Sequence, residues 1–237
     1  NEDPLIKFIK NPTKYVCLEA IKNNGYIIQY INNPTEEMFI EAVKQNGYII
    51  KYIENPNEKI CLESVKRNGW TIEYIKNPSK EVQLEAIKNE GTAIKYINNP
   101  SKEIQLEAIK NDRRAIKYID NPSYELQLKA VEYNGYALEY IKNPSKELQL
   151  KAVKEDGTAI QCIENPSEEI KLAAIKNDWR AIGYIKKSEQ SFDIVKIFFD
   201  QPNKYNFPKS VGYECISKQF ITKDQALIMI QDDPKYI

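Results

Sequence analysis

Apolar positions alternate along this chain between two patterns. In the stretch NPSKEVQLEAIKNEGTAIKYIN, residues 77–98, Val82, Leu84, Ala86 and Ile87 fall at helical spacing. Ala93, Ile94, Tyr96 and Ile97 form a second, shorter apolar set. At about 100° per residue the first set spreads over roughly 200°, wider than the stripe of a helix that packs on one side only. Neighbours on both sides would need that width. The pattern therefore predicts two helices per unit. Asn77 suits the N-cap and Pro78 the first helical position, where no amide donor is needed. Gly91 is expected to stop the first helix by entering the left-handed conformation cheaply. The next Asn-Pro ends the second, because the residue before proline avoids helical dihedrals.

The unit recurs. Asn-Pro stands at 11, 33, 55, 77, 99, 121, 143 and 165, always 22 residues apart, so eight units fill Asn11–Lys186. One such unit is too small to bury a core alone, and stacking must supply it. At a helix spacing of about 8–10 Å the array would be on the order of 80 Å long. The expected architecture is all-α: a right-handed αα-solenoid of helix-turn-helix repeats with a cap at each end. Residues 1–10 read as an N-terminal half-repeat, since Leu5, Ile6, Phe8 and Ile9 fall in register with Ala93, Ile94, Tyr96 and Ile97. Residues 11–186 are the repeats. Residues 187–237 lose the period and read as a helical C-terminal cap, with apolar helices expected at Ser191–Phe199 and Thr222–Gln231.

The repeat from Asn77 resembles short helical repeats catalogued as a domain of unknown function, found in tandem in bacterial, phage and large-virus proteins. In layout it is similar to HEAT-like and leucine-rich-variant solenoids. The resemblance covers Asn11–Lys186. It implies an interaction scaffold, and it brings no catalytic residues with it.

Composition narrows the function classes. Lys plus Arg and Asp plus Glu both number 34, so the net charge is zero and gives no overall attraction to nucleic acid or anionic membrane. No apolar run is long enough to span a bilayer. Histidine is absent, which removes the usual general base and every His-containing triad or metal site. The expectation is a non-enzyme with no cofactor and no metal. Cys17, Cys61, Cys162 and Cys215 show no metal-ligand spacing and read as free thiols. That favours a reducing, cytoplasmic setting.

Variation between units separates structure from surface. Tyr30, Tyr52, Tyr74, Tyr96, Tyr118, Tyr140 and Tyr184 hold one slot, with Cys162 in the remaining unit. A tyrosine stripe at fixed register is expected to pack in the core with its hydroxyls at a polar edge. Another row reads Cys17, Phe39, Cys61, Gln83, Gln105, Gln127, Gln149, Lys171, and its four amides could form a glutamine ladder. Pairs such as Glu19/Lys22 and Glu85/Lys88 lie three apart, and the sixth unit reverses both signs as Lys129/Glu132. Such a swap indicates local pairing on a solvated face, worth a few tenths of a kcal/mol per pair.

The row after the glycine is the candidate partner-binding edge: Tyr26, Tyr48, Trp70, Arg114, Tyr136 and Arg180, with Arg113 and Trp179 standing where two units lose the glycine. Aromatic residues and arginine are enriched at binding hot spots. Two bland readings compete. Asp112 and Asp178 could cap the second helix at those turns, and Tyr26, Tyr48 and Trp70 could stack between units. The function expected is a non-enzymatic protein–protein interaction scaffold, in the setting of a phage or mobile-element protein that sequesters a host factor. The alternative is a nucleic-acid-binding solenoid with stacked aromatics and arginine–phosphate contacts. The mixed row Gln29, Lys51, Glu73, Lys95, Lys117, Glu139, Gln161 lacks the basic stripe that alternative calls for.

Overall fold

A computed structural model of the chain describes residues 4–200 together with 221, 222 and 224. Among these residues every element of regular secondary structure is a helix. Cys215 and all but Thr222 and Asp224 of the expected helix over Thr222–Gln231 lie outside the described residues. The chain divides into two compact units between Asn121 and Pro122. The first holds α1 (Lys14–Asn23), α2 (Glu36–Gln45), α3 (Glu58–Arg67), α4 (Lys80–Asn89) and α5 (Lys102–Asn111). The second holds α6 (Tyr124–Tyr133), α7 (Lys146–Glu155), α8 (Glu168–Asn177) and α9 (Phe192–Asp200). Within each unit successive α-helices pack side by side as a solenoid. A six-residue 3₁₀ helix follows each of α1 to α8, from Gly25–Tyr30 through Trp179–Tyr184.

The second helix of each repeat is thus 3₁₀ rather than α, and the caps sit elsewhere than the pattern predicts. The residue after proline is the N-cap: Ser79 Oγ accepts from Val82 N at 3.2 Å, and Thr13, Asn57, Ser101 and Ser145 do the same in their repeats. Asn77 instead lies at φ 49°, and Asn11, Asn33, Asn99, Asn121 and Asn143 share that left-handed conformation. Asparagine tolerates it better than other side-chain-bearing residues. It turns the chain between the end of the 3₁₀ helix and the Pro-Ser entry to the next α-helix.

No described glycine has positive φ. Each of α1 to α8 ends on one extended residue that also stands at the start of the following 3₁₀ helix. Asn46 donates its N–H to Ala42 O at 3.1 Å, and its Oδ1 accepts from Tyr48 N at 3.0 Å. That single residue closes α2 with its backbone and caps the following 3₁₀ helix with its side chain. Glycine is required next to it by close approach. A Cβ on Gly69 would stand 2.3 Å from Ala86 O, and one on Gly157 would stand 2.4 Å from Ala174 O. The backbone here touches the next α-helix at its small residue. Asn89 locks the contact, accepting from Gly69 N at 2.8 Å and donating to Lys66 O at 3.0 Å. Asn111 and Asn177 repeat this clamp on Gly91/Lys88 and Gly157/Lys154.

The stack in the second unit runs one step past the repeats counted from Asn-Pro. Ser191 Oγ caps α9 at Ile194 N, 3.3 Å, and bonds Glu168 of the preceding repeat. Four residues, Lys187 to Gln190, stand where Asn-Pro would be, so α9 is the first helix of a ninth repeat shifted by two residues. Ile194, Val195 and Phe198 take the places of Ile170, Lys171 and Ala174 and join the core with Val153, Ile160, Ile175 and Ile182.

Candidate functional site

The candidate row at the inter-helix turns is largely engaged within the stack. Asp112 and Asp178 are the caps of their 3₁₀ helices, accepting from Arg114 N and Arg180 N at 2.8 Å each. Both also hold the arginine side chain two residues on: Arg114 Nη2 lies 2.6 Å from Asp112 Oδ2, and Arg180 Nη2 lies 2.5 Å from Asp178 Oδ2. Arg114 holds the Asp112 carboxyl below the usual carboxylate range. Burial of Asp178 opposes its ionisation, but the bonds from Arg180 outweigh it and lower that carboxyl too. Arg113 is half-buried. Trp179 packs its ring edge-on against Phe198 of α9, with centroids 6.0 Å apart.

The aromatic members of the row tie one repeat to the next. Tyr26 and Tyr48 make edge-to-face contacts with Tyr52 and Tyr74, each pair 6.2 Å apart. Tyr26 Oη accepts from Asn46 Nδ2 at 2.9 Å. Trp70 Nε1 donates to Thr92 Oγ1 at 3.2 Å, and Tyr136 Oη shares a 2.7 Å bond with Thr158 Oγ1 one repeat on. The face of Trp70 stays 38% exposed and that of Tyr26 37%.

The glutamine row forms no rungs between repeats. Gln83, Gln105, Gln127 and Gln149 each donate to the proline carbonyl of their own repeat at 2.9–3.0 Å. Cys61 and Cys17 occupy the same place in earlier repeats and are buried free thiols. Burial pushes the Cys61 thiol up.

The surface that the sequence pattern did not expose is the tyrosine stripe. Tyr30, Tyr52, Tyr74 and Tyr118 are 41–45% exposed in the first unit, and Tyr184 is 51% exposed in the second. The rings lie on the outside of the 3₁₀ helices because the isoleucines beside them, such as Ile72 and Ile75, take the inward places. Lys7, Lys51 and Lys95 lie over the rings of Tyr30, Tyr52 and Tyr96 at 4.4, 4.8 and 4.5 Å. Beside the stripe the Asn-Pro turns form grooves in the first unit. One groove of about 510 Å³ runs from Lys51 and Asn55-Pro56 to Tyr74 and Asn77-Pro78. Its counterparts hold Tyr30 with Asn11-Pro12 and Tyr96 with Asn77-Pro78. The signal available in the sequence was the free variation of the neighbouring slots against the constancy of tyrosine.

A second set of grooves lies between successive α-helices. The α2–α3 groove, about 540 Å³, is lined by Glu36, Glu37, Glu41, Glu63, Lys44, Lys59 and Ile40. The α7–α8 groove, about 410 Å³, is lined by Leu150, Leu172, Ala173, Lys154, Lys176, Glu169 and Asn177. Among the described residues no cluster of Cys, Asp and Glu could hold a metal ion, and no helix is long and apolar enough to cross a membrane.

Comparison with known families matches this repeat geometry. The family model described as Domain of unknown function (DUF4116) matches three times in tandem, at residues 13–56, 35–78 and 79–123. Residues 13–123 are thus similar, over three successive matches, to the repeats of that family. Each DUF4116 match spans two of the 22-residue units, that is, two α-helices and the 3₁₀ helices that follow them. No curated protein and no solved structure matches the chain.

Proposed function

We propose that the chain is a non-catalytic scaffold that holds a protein partner along the tyrosine edge of its repeats. The observation that carries this reading is the row of exposed tyrosines, Tyr30, Tyr52, Tyr74, Tyr118 and Tyr184, with Asn-Pro grooves beside Tyr30, Tyr74 and Tyr96. Half-exposed aromatic rings next to shallow grooves are the surface that partners anchor on. The slots flanking the row, such as Lys51, Glu73 and Gln161, change charge from repeat to repeat, and that variation suits side-by-side contacts with a polypeptide better than with a uniform phosphate chain. The buried thiols of Cys17 and Cys61 suit a reducing, cytoplasmic compartment.

The test is a tagged capture from source-cell lysate, treated with nuclease, comparing the wild type with the triple change Tyr52→Ser, Tyr74→Ser, Tyr118→Ser. The repeat holding Cys162 already lacks this tyrosine and keeps its 3₁₀ helix, so the fold accommodates the loss. Circular dichroism should show unchanged helicity. A discrete protein should be retained by the wild type and lost by the variant. Equal capture by both would remove the tyrosine edge from the site, and capture that disappears with nuclease would transfer the reading to nucleic acid.

A further inference from the structure

We infer that the segment held along the tyrosine edge of the first unit is proline-rich and uncharged, lies in the polyproline II conformation, and carries a proline at every third position. This rests on reading the chain as a protein-binding scaffold and names the class of segment that the edge takes. The groove that holds Tyr74 and the groove that holds Tyr96 share Ile75, Lys76, Asn77 and Pro78. They therefore abut, and together they form one channel lined by residues from Ile50 to Asn98. A channel that crosses from repeat to repeat receives an extended segment rather than a single side chain. No strand stands among the described residues, so such a segment finds no sheet edge to join by backbone pairing.

The repeat period selects among extended conformations. Packed helices lie about 8–10 Å apart, so the channel presents a tyrosine and an Asn-Pro turn once in each such step. A polyproline II helix turns once in three residues at about 3.1 Å per residue, and the same face returns after about 9.3 Å. A β-strand returns its face after about 6.7 Å and falls out of step. The groove chemistry fits the same segment. Tyr74 is 41% exposed and offers a ring for a pyrrolidine to pack on, with Ile75 and Pro78 beside it. A polyproline II backbone has no internal hydrogen bonds, so its carbonyls need donors. Tyr74 Oη and the Asn55 and Asn77 carboxamides make no hydrogen bond among the described residues and are placed to donate. The charges lining the channel are mixed. Lys51 and Glu54 stand three apart in one repeat, and Glu73 and Lys76 stand three apart with reversed sign in the next. Glu58, the remaining charged residue among those described there, accepts from Ser79 Oγ at 2.5 Å. An acidic or a basic segment would meet a like charge in each repeat, whereas an uncharged one meets none.

Fluorescence anisotropy with labelled synthetic peptides on the full chain supplies the test. A short uncharged peptide with proline at every third position should bind. A peptide of the same composition with proline at alternate positions should bind about ten-fold more weakly. Tyr74→Ser should weaken the first peptide by about ten-fold or more, and Tyr74→Phe, which keeps the ring and loses the donor, should weaken it less. The repeat with Cys162 in this slot keeps its 3₁₀ helix, so circular dichroism of both variants should match the wild type. Lys76→Gln should change the affinity by less than about two-fold, and added salt should have as little effect. The inference is overturned if neither peptide binds up to about 1 mM, if proline spacing has no effect, if Tyr74→Ser binds as well as the wild type, or if binding collapses with salt. A protein still captured from lysate by the wild type and lost on the triple tyrosine variant would then keep the scaffold reading and remove only its proline-rich partner.

Discussion

Two neighbouring interfaces in the second unit solve one packing problem in opposite ways. Between the seventh and eighth repeats, Gly157 meets the Ala174 carbonyl so closely that no Cβ fits. Between the eighth repeat and α9, Trp179 stands in the glycine slot and Phe198 in the alanine slot. Two small residues are exchanged for two rings in edge contact. The exchange follows from the two extra residues between Ile185 and Ser191, which displace α9 from the register of its predecessors. The backbone clamp of Asn177 on Gly157 gives way at this last step to side-chain packing. Lys171, in the slot of the glutamine row, bonds Glu189 at 3.0 Å and steadies the longer connection. These two interfaces therefore keep their spacing in different ways, one by backbone contact at a glycine and the other by aromatic filling.

Breaking the aromatic side of this comparison should have the largest effect. Trp179→Ala opens a cavity against Phe198, and a half-buried tryptophan in a hydrophobic cluster should cost about 3 kcal/mol. Urea unfolding and hydrogen exchange should show α9 released first, since stability in a repeat array is summed over neighbours. Retained protection of α9 would mean that Ile194 and Val195 hold it without the rings. Breaking the backbone side comes next. Gly157→Ala forces a shift against the Ala174 carbonyl and the backbone of Asp178, with an expected loss of about 2 kcal/mol. Trp179→Gly should not be rescued by Phe198→Ala, because the longer connection keeps α9 out of reach of a backbone contact. Recovery of stability in that double variant would show that the register shift is unimportant.

Much of this architecture is legible in the sequence and part of it is not. The Asn-Pro spacing and the apolar sets locate the α-helices to within a few residues, because a periodic core constrains every unit alike. The turn chemistry misleads. Asparagine before proline and glycine after a helix both carry signals for two conformations, and only packing between repeats selects one. Asn77 takes the left-handed place expected of Gly91, while Gly91 is needed for a neighbour seventeen residues away, Ala108. The tyrosine stripe was placed in the core because its register is constant, yet a 3₁₀ helix presents fewer inward positions than an α-helix, and isoleucine fills them. The candidate row Tyr26, Tyr48, Trp70, Arg114 and Arg180 was legible as special, but not its use, since hydrogen bonds between neighbours consume the groups that would otherwise suit a partner.

The smallest expected effect concerns the cap beside the aromatic pair. Asp178 caps the 3₁₀ helix that begins with Trp179, and asparagine makes the same backbone bond at Asn24, Asn46, Asn68 and Asn134. Asp178→Asn should thus keep the cap and lose only the charge pairing with Arg180, whose side chain is 59% exposed. Solvent screening limits that pairing to at most about 1 kcal/mol at neutral pH. The sign of its pH dependence follows from the folded state. The Asp178 carboxyl is held below its ordinary value, so its contribution is present above the usual carboxylate range and is lost as pH falls through the depressed folded value. The stability difference between the wild type and Asp178→Asn should therefore close on acidification, measured as urea midpoints from neutral pH down to the acid limb. The absence of a gap at any pH in that range would assign the residue's contribution to the backbone cap alone. It would also leave Arg180 available to a partner, because the carboxylate would not be what holds it.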